Sequence, residues 1–149
     1  MPALDEETIT FFCDGASRGN PGEAAFGVVA FRGKADFSLN QFKNAEDSAF
    51  FIRAEKLGKR TNNEAEYLGM IAALEKCAEL GLMKPIICSD SELVIRQLKG
   101  QYKVKGENLK GLFARAQELM RKVQPELVHV RREKNQIADF LANRALDAR

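Results

Sequence analysis

Two short apolar runs in this chain each stop on an aspartate. Residues 8–13 (TITFFC) are β-branched and aromatic and lead straight into Asp14. Residues 85–89 (PIICS) lead into Asp90 in the same way. Runs of this length and composition read as strands, and the second as a buried one. In an open α/β sheet the carboxyl ends of the strands are where ligands bind. The chain is therefore confined to folds in which two buried strands open, at their ends, on acid groups.

The remaining segments can be placed around these two strands. Residues 14–22 (DGASRGNPG) hold three glycines and a proline and read as a turn-rich loop. Residues 25–31 (AFGVVAF) read as a second strand, the hairpin partner of the first. Between residues 32 and 60, FSLNQF and AFFIRAEKL both read as strands, with an irregular insertion between them. Thr61 opens a helix, because Thr61-Asn62-Asn63-Glu64 has the spacing of a capping box. Ala65, Leu68, Ile71, Ala72, Cys77 and Ala78 recur at helical spacing, and Gly81 stops the helix. Residues 91–98 read as a short helix ended by Gly100. Residues 107–123 read as an amphipathic helix with Leu109, Leu112, Phe113, Ala116 and Leu119 on one side. Residues 126–130 form a last strand. Residues 135–146 form a last helix with Ala138, Leu141, Ala142 and Ala145 inward. The order β-β-β-α-β-α-α-β-α joins early strands by hairpins and later ones by helical crossovers. It predicts a mixed sheet with helices packed on its faces, an α/β domain.

Composition narrows the chemistry. The 149 residues suit one domain with its own core. No run of about 18 apolar residues is present, so no membrane helix is expected. The acidic start MPALDEETIT lacks the apolar stretch of a signal peptide. Cys13, Cys77 and Cys88 lie far apart, which argues against a zinc ribbon or a disulfide framework and for a reducing cytoplasm. A single histidine, His129, excludes sites built from several. The net charge of +2 says little, but its distribution says more. Arg53, Lys56, Lys59 and Arg60 form one basic group, and Lys99, Lys103, Lys105 and Lys110 another. Arg121, Lys122, Arg131, Arg132 and Lys134 form a third. Such groups suit a phosphate backbone and equally suit a solvated surface.

Four acids stand out by position. Asp14 and Asp90 end neighbouring strands, and at about 4 Å their repulsion is roughly 4 kcal/mol at an effective dielectric near 20. A divalent cation removes that penalty. Glu66 sits early in the first helix, where it can point back to the strand ends. Asp139 sits early in the last helix, with Asn143 one turn later on the same face. Taken singly, each suits a structural role: Asp14 as a turn former, Asp90 as a helix cap, Glu66 as a first-turn acid, Asp139 as a surface residue. Together they map to one end of the sheet. An all-oxygen cluster favours Mg²⁺ or Mn²⁺ over zinc. Two such ions about 3.5–4 Å apart suit phosphodiester hydrolysis.

At these residues the chain resembles type 1 ribonuclease H. FFCDGASRGNPG resembles the family's first strand and turn, TNNEAEY its first helix start, ICSDSELV its strand carrying the next aspartate, and NQIADFLANRAL its last helix. The four motifs come in the family's order. The resemblance implies a ribonuclease H-like fold: a mixed five-stranded sheet with helices on both faces, residues 1–149 forming a single catalytic domain. It implies an endoribonuclease that cuts the RNA strand of RNA·DNA hybrids, leaving 5′-phosphate and 3′-hydroxyl ends. Two Mg²⁺ ions, or Mn²⁺ in their place, are then held by Asp14, Glu66, Asp90 and Asp139. Asn20, Asn62 and Asn63 are placed in the minor groove of the hybrid, where amides suit ribose 2′-hydroxyls. Thr61 is placed near a phosphate of the DNA strand, and Gly15 and Ser17 beside the substrate. A monomer is expected, with no membrane partner.

The chain also departs from that pattern. Residues 99–110 are short and lack the tryptophans of the family's basic protrusion. RREKNQ stands where many members carry a loop histidine, so Arg131, Arg132 or Lys134 is the candidate stand-in. His129 is expected to be a packed strand residue. Glu92 is expected to add negative charge near the site. Compact members of this kind also bring double-stranded RNA into view as a substrate. The competing function is a non-catalytic hybrid-binding or duplex-RNA-binding module on the same fold. A 3′→5′ exonuclease is a third. Phe11, Phe12, Phe50, Phe51 and Phe113 are expected in the core rather than stacked on bases, as are the three cysteines.

Overall fold

The computed structural model describes residues 8–33 and 49–148. Five strands, β1 (Ile9–Gly19), β2 (Gly22–Arg32), β3 (Phe51–Arg60), β4 (Ile86–Ser89) and β5 (Glu126–His129), form one sheet in the order β3-β2-β1-β4-β5. The hairpin-linked strands pair antiparallel, and β1–β4 and β4–β5 pair parallel. The mixed sheet and the element order match the sequence-based expectation. The helices are α1 (Asn62–Leu80), α2 (Glu92–Leu98), α3 (Glu107–Val123) and α4 (Gln136–Asp147). A short 3₁₀ turn, Arg132–Lys134, precedes α4.

The first hairpin corrects one expectation. Residues 14–19, predicted as loop, continue β1 and pair residue by residue with β2, Asp14 lying opposite Gly27. The turn signals are needed only at the tip, Asn20-Pro21, whose peptide bond is cis. The small residues Gly15, Ala16 and Ser17 fit the ladder against Phe26, Ala25 and Ala24. Asp14 therefore does not end its strand. It ends the parallel pairing with β4, whose last matched pair is Cys13 with Ser89. FSLNQF lies outside the described residues.

Two apolar layers fix the sheet between its helices. On one face Phe11, Cys13, Val28 and Ile87 pack against Tyr67, Met70 and Leu74 of α1, with α2 and α3 completing the layer. On the other, Phe12, Val29, Phe31 and Cys88 pack under Ile137, Ala138 and Leu141 of α4. Each large side chain buried in this way contributes about 1.5–3 kcal/mol. Strand alternation puts Cys13 on the α1 face and Phe12 and Asp14 on the α4 face. All three cysteines are free and buried. No helix among the described residues is long and apolar enough to cross a membrane.

Candidate active site

Two glycines let helices reach the sheet where the acids lie. A Cβ on Gly15 would sit 2.2 Å from the Ala65 carbonyl carbon and 2.4 Å from the Glu66 nitrogen. Only a residue without a side chain lets α1 lie this close to β1. On the opposite face, a Cβ on Gly27 would sit 2.4 Å from the Ala138 carbonyl oxygen. That approach sets Asp139, the next residue of α4, over the strand that carries Asp14. At the start of α1, Thr61 Oγ1 accepts from Glu64 N at 3.1 Å and Glu64 Oε1 accepts from Thr61 N at 2.8 Å. This is the capping box read from the sequence, and it fixes where Glu66 falls.

Three of the four expected carboxylates come together, and Asp139 is not in that group. Asp14, Glu66 and Asp90 each offer an oxygen, all within 4.8 Å of one another. The Gly15 amide donates to both Asp14 Oδ1, at 3.0 Å, and Glu66 Oε1, at 3.1 Å. Asp139 lines the same open cleft of about 760 Å³, and Asn143 Nδ2 donates to its Oδ1 at 3.2 Å. Burial raises the Asp14 carboxyl far above the usual carboxylate range, and the charges of Glu66, Asp90 and Asp139 push it further. Burial also raises Glu66, opposed by hydrogen bonds from Asp14 and Gly15. Asp90 is raised by burial too, while the Arg132 guanidinium works against the shift.

These shifts fix a pH dependence. Carboxyls raised by folding lend stability while protonated, below the ordinary range near pH 4, and that stability is lost as pH rises through their folded values. Without divalent cations the thermal midpoint should therefore fall between about pH 5 and pH 8. Mg²⁺ added at about pH 8 should restore it. Scanning calorimetry with EDTA or Mg²⁺ reads this directly, and a midpoint indifferent to Mg²⁺ at the higher pH contradicts it.

The donor set fits a hard divalent cation. It is all oxygen, it is crowded with like charge, and it holds an unspent acceptor. Among the described residues, Glu66 Oε2 is one of two buried side-chain atoms without a hydrogen-bond partner. Asp14, Glu66, Asp90 and Asp139 are the residues that would hold such an ion.

Of the residues expected at the substrate, three line the cleft, while Asn20, Thr61 and Asn63 are not among its lining residues. Gly15, Ser17 and Asn62 line the cleft. Ser17 Oγ donates to the Arg60 carbonyl at 2.8 Å, lacing the hairpin tip to the end of β3. Asn20 Oδ1 accepts from Asn62 N at 3.0 Å, which caps a free amide of α1. Asn62 and Asn63 are exposed, and Thr61 is half-buried.

Two expectations fail here. His129 is not packed in the sheet; it is exposed and lines the acid cleft. The reason is its place as the last residue of β5, an edge strand whose carboxyl end opens on the site. Glu92 does not add its charge to the cleft. It turns along α2 and pairs with Arg96 at 2.8 Å, an i,i+4 contact on the surface. Arg131, Arg132 and Glu133 do line the cleft, and Glu133 had no distinguishing sequence signal.

Comparison with known proteins agrees with this geometry. The model of the reverse transcriptase-like family matches residues 12–145. The bifunctional protein Rv2228c of Mycobacterium tuberculosis is 39% identical over 143 residues, 94% of this chain, which itself spans only about a third (36%) of that relative. The crystal structure of RNase H1 from the halophilic archaeon Halobacterium salinarum superposes with a TM-score of 0.81 at 37% identity, covering 94% of this chain and 98% of the other. LC11-RNase H1, solved in complex with an RNA/DNA hybrid, superposes with a TM-score of 0.78 at 36% identity, covering 94% and 97% of the two chains. With three acids clustered at a five-stranded mixed sheet, a fourth lining the same cleft, and likeness running through nearly the whole length, the chain belongs to the type 1 ribonuclease H family.

Proposed function

We propose that the chain is a metal-dependent endoribonuclease that cuts the RNA strand of RNA·DNA hybrids by hydrolysis, leaving 5′-phosphate and 3′-hydroxyl ends. The observation that carries this reading is the triple of Asp14, Glu66 and Asp90 oxygens within 4.8 Å, in an open cleft rimmed by amides and guanidinium groups. Asp14, Glu66, Asp90 and Asp139 would hold two Mg²⁺ ions, replaceable by Mn²⁺, which would supply the Lewis acidity for phosphodiester hydrolysis. Asn20, Asn62 and Asn63 grip the hybrid from its minor groove, donating to and accepting from ribose 2′-hydroxyls, the groups that distinguish RNA from DNA. Thr61 and Ser17 fix the rim on which those amides stand. Arg131 and Arg132 bind phosphate oxygens along the opposite wall, where guanidinium geometry suits a bidentate contact. Residues 1–149 act as one catalytic domain and as a monomer, in a cytoplasm that keeps the three cysteines reduced.

A gel comparing labelled RNA·DNA hybrid, duplex RNA and duplex DNA, each with Mg²⁺ or Mn²⁺, tests this. Internal cuts confined to the RNA strand of the hybrid are expected, with none in EDTA and less cutting as salt rises. Cutting of duplex RNA as well extends the substrate class. Binding without cutting in either metal overturns the reading in favour of a pure binding module, and stepwise shortening from the 3′ end in favour of an exonuclease.

A further inference from the structure

Asn135 belongs neither to the four acids nor to the residues placed on the substrate. It occupies the N-cap position of α4, yet its side chain makes no capping bond. It turns into the sheet instead and is 1% exposed. Its Nδ2 donates at 2.9 Å to the carbonyl of Cys13, the peptide that leads into Asp14. Its backbone carbonyl accepts the Asp139 N–H at 3.1 Å. One residue thus ties the backbone before Asp14 to the backbone of Asp139.

The orientation of its amide follows from chemistry. Turned over, the Asn135 oxygen would face the Cys13 carbonyl, acceptor against acceptor. As it stands, Oδ1 is buried and has no hydrogen-bond partner among the described residues. A side chain retained for packing alone gains nothing from that unpaired oxygen, since leucine has nearly the same shape without it.

We propose that Asn135 is a positioning residue, one that fixes the spacing of Asp14 and Asp139 for a divalent cation. The inference rests on those acids being metal ligands. Groups that orient ligands in this way change metal affinity about 10–100-fold when removed.

Calorimetric titration with Mn²⁺ alone, without nucleic acid, tests the proposal on the wild type, Asn135→Leu, Asn135→Ala and Asp90→Asn. Thermal midpoints are measured in EDTA alongside. Both Asn135 variants are expected to bind Mn²⁺ about tenfold more weakly. Asn135→Leu, which also deletes the unpaired oxygen, should keep its midpoint in EDTA. In cleavage assays both should need about tenfold more metal for half-maximal rate, with an unchanged KM for hybrid at saturating metal. Wild-type Mn²⁺ affinity in either variant overturns the proposal, whether or not its midpoint falls. Wild-type affinity in Asp90→Asn overturns the metal-ligand reading itself, so the two failures are separable.

Discussion

Replacing Asp14 with asparagine is expected to lower hybrid cleavage in Mg²⁺ at least about 10³-fold, the equivalent of about 4 kcal/mol of transition-state stabilisation. The substitution keeps the shape and removes one of three clustered charges at a residue only 5% exposed. Hybrid binding in EDTA should be nearly unchanged, because Asp14 is buried and is not among the residues proposed to grip the hybrid. The same change should stabilise the metal-free protein at about pH 8. A buried carboxylate beside Glu66 and Asp90 is costly, and the amide carries no charge to desolvate. A midpoint about 3–6 °C higher in EDTA corresponds to the 1–2 kcal/mol regained. Loss of activity with a gain of stability separates a functional acid from a structural one. Cleavage within tenfold of wild type would remove Asp14 from the chemistry.

The largest expected effect on stability is at Gly15. The methyl of Gly15→Ala would meet the Ala65 carbonyl carbon at 2.2 Å, and the obstacle is helix backbone rather than the end of a flexible side chain. Either α1 lifts from β1 or the strand bends, at a cost of about 3 kcal/mol, the upper end of overpacking effects. Activity should fall beyond the loss of folded protein, because lifting α1 parts Glu66 from Asp14. Gly111 in α3 is the control, since a Cβ there meets nothing within 4 Å. Gly111→Ala should raise stability by about 0.5–1 kcal/mol. Urea unfolding of both variants tests the pair. A Gly15→Ala variant within about 1 kcal/mol of wild type would contradict the close docking of α1.

Local pattern made most of this legible. The capping box at Thr61, the stop at Gly81 and the 3.6-residue period of α3 are signals between neighbours in sequence, and each element formed where they placed it. The acids were legible only as a set, because each alone suited a structural role and together they mapped to one end of the sheet. What escaped depends on distant partners. The length of β1 is set by pairing of residues 14–19 across the hairpin, which overrides the turn propensity of Gly15 and Ser17. The exposure of His129 follows from β5 being at the sheet edge, which no local period encodes. Asn135 stands in sequence simply as the start of the last helix, and only its tertiary contact with Cys13 turns its side chain inward. Glu92 is the reverse case: Arg96 four residues on already indicated where its charge would go.

Helices α1 and α4 come to the acid cluster from opposite faces of the sheet, each seated on its own glycine. A nascent chain leaving the ribosome therefore carries Asp14, Glu66 and Asp90 well before Asp139 is synthesised. No half-molecule holds the complete quartet. The proposed hydrolysis therefore has its full set of acids only in the finished fold.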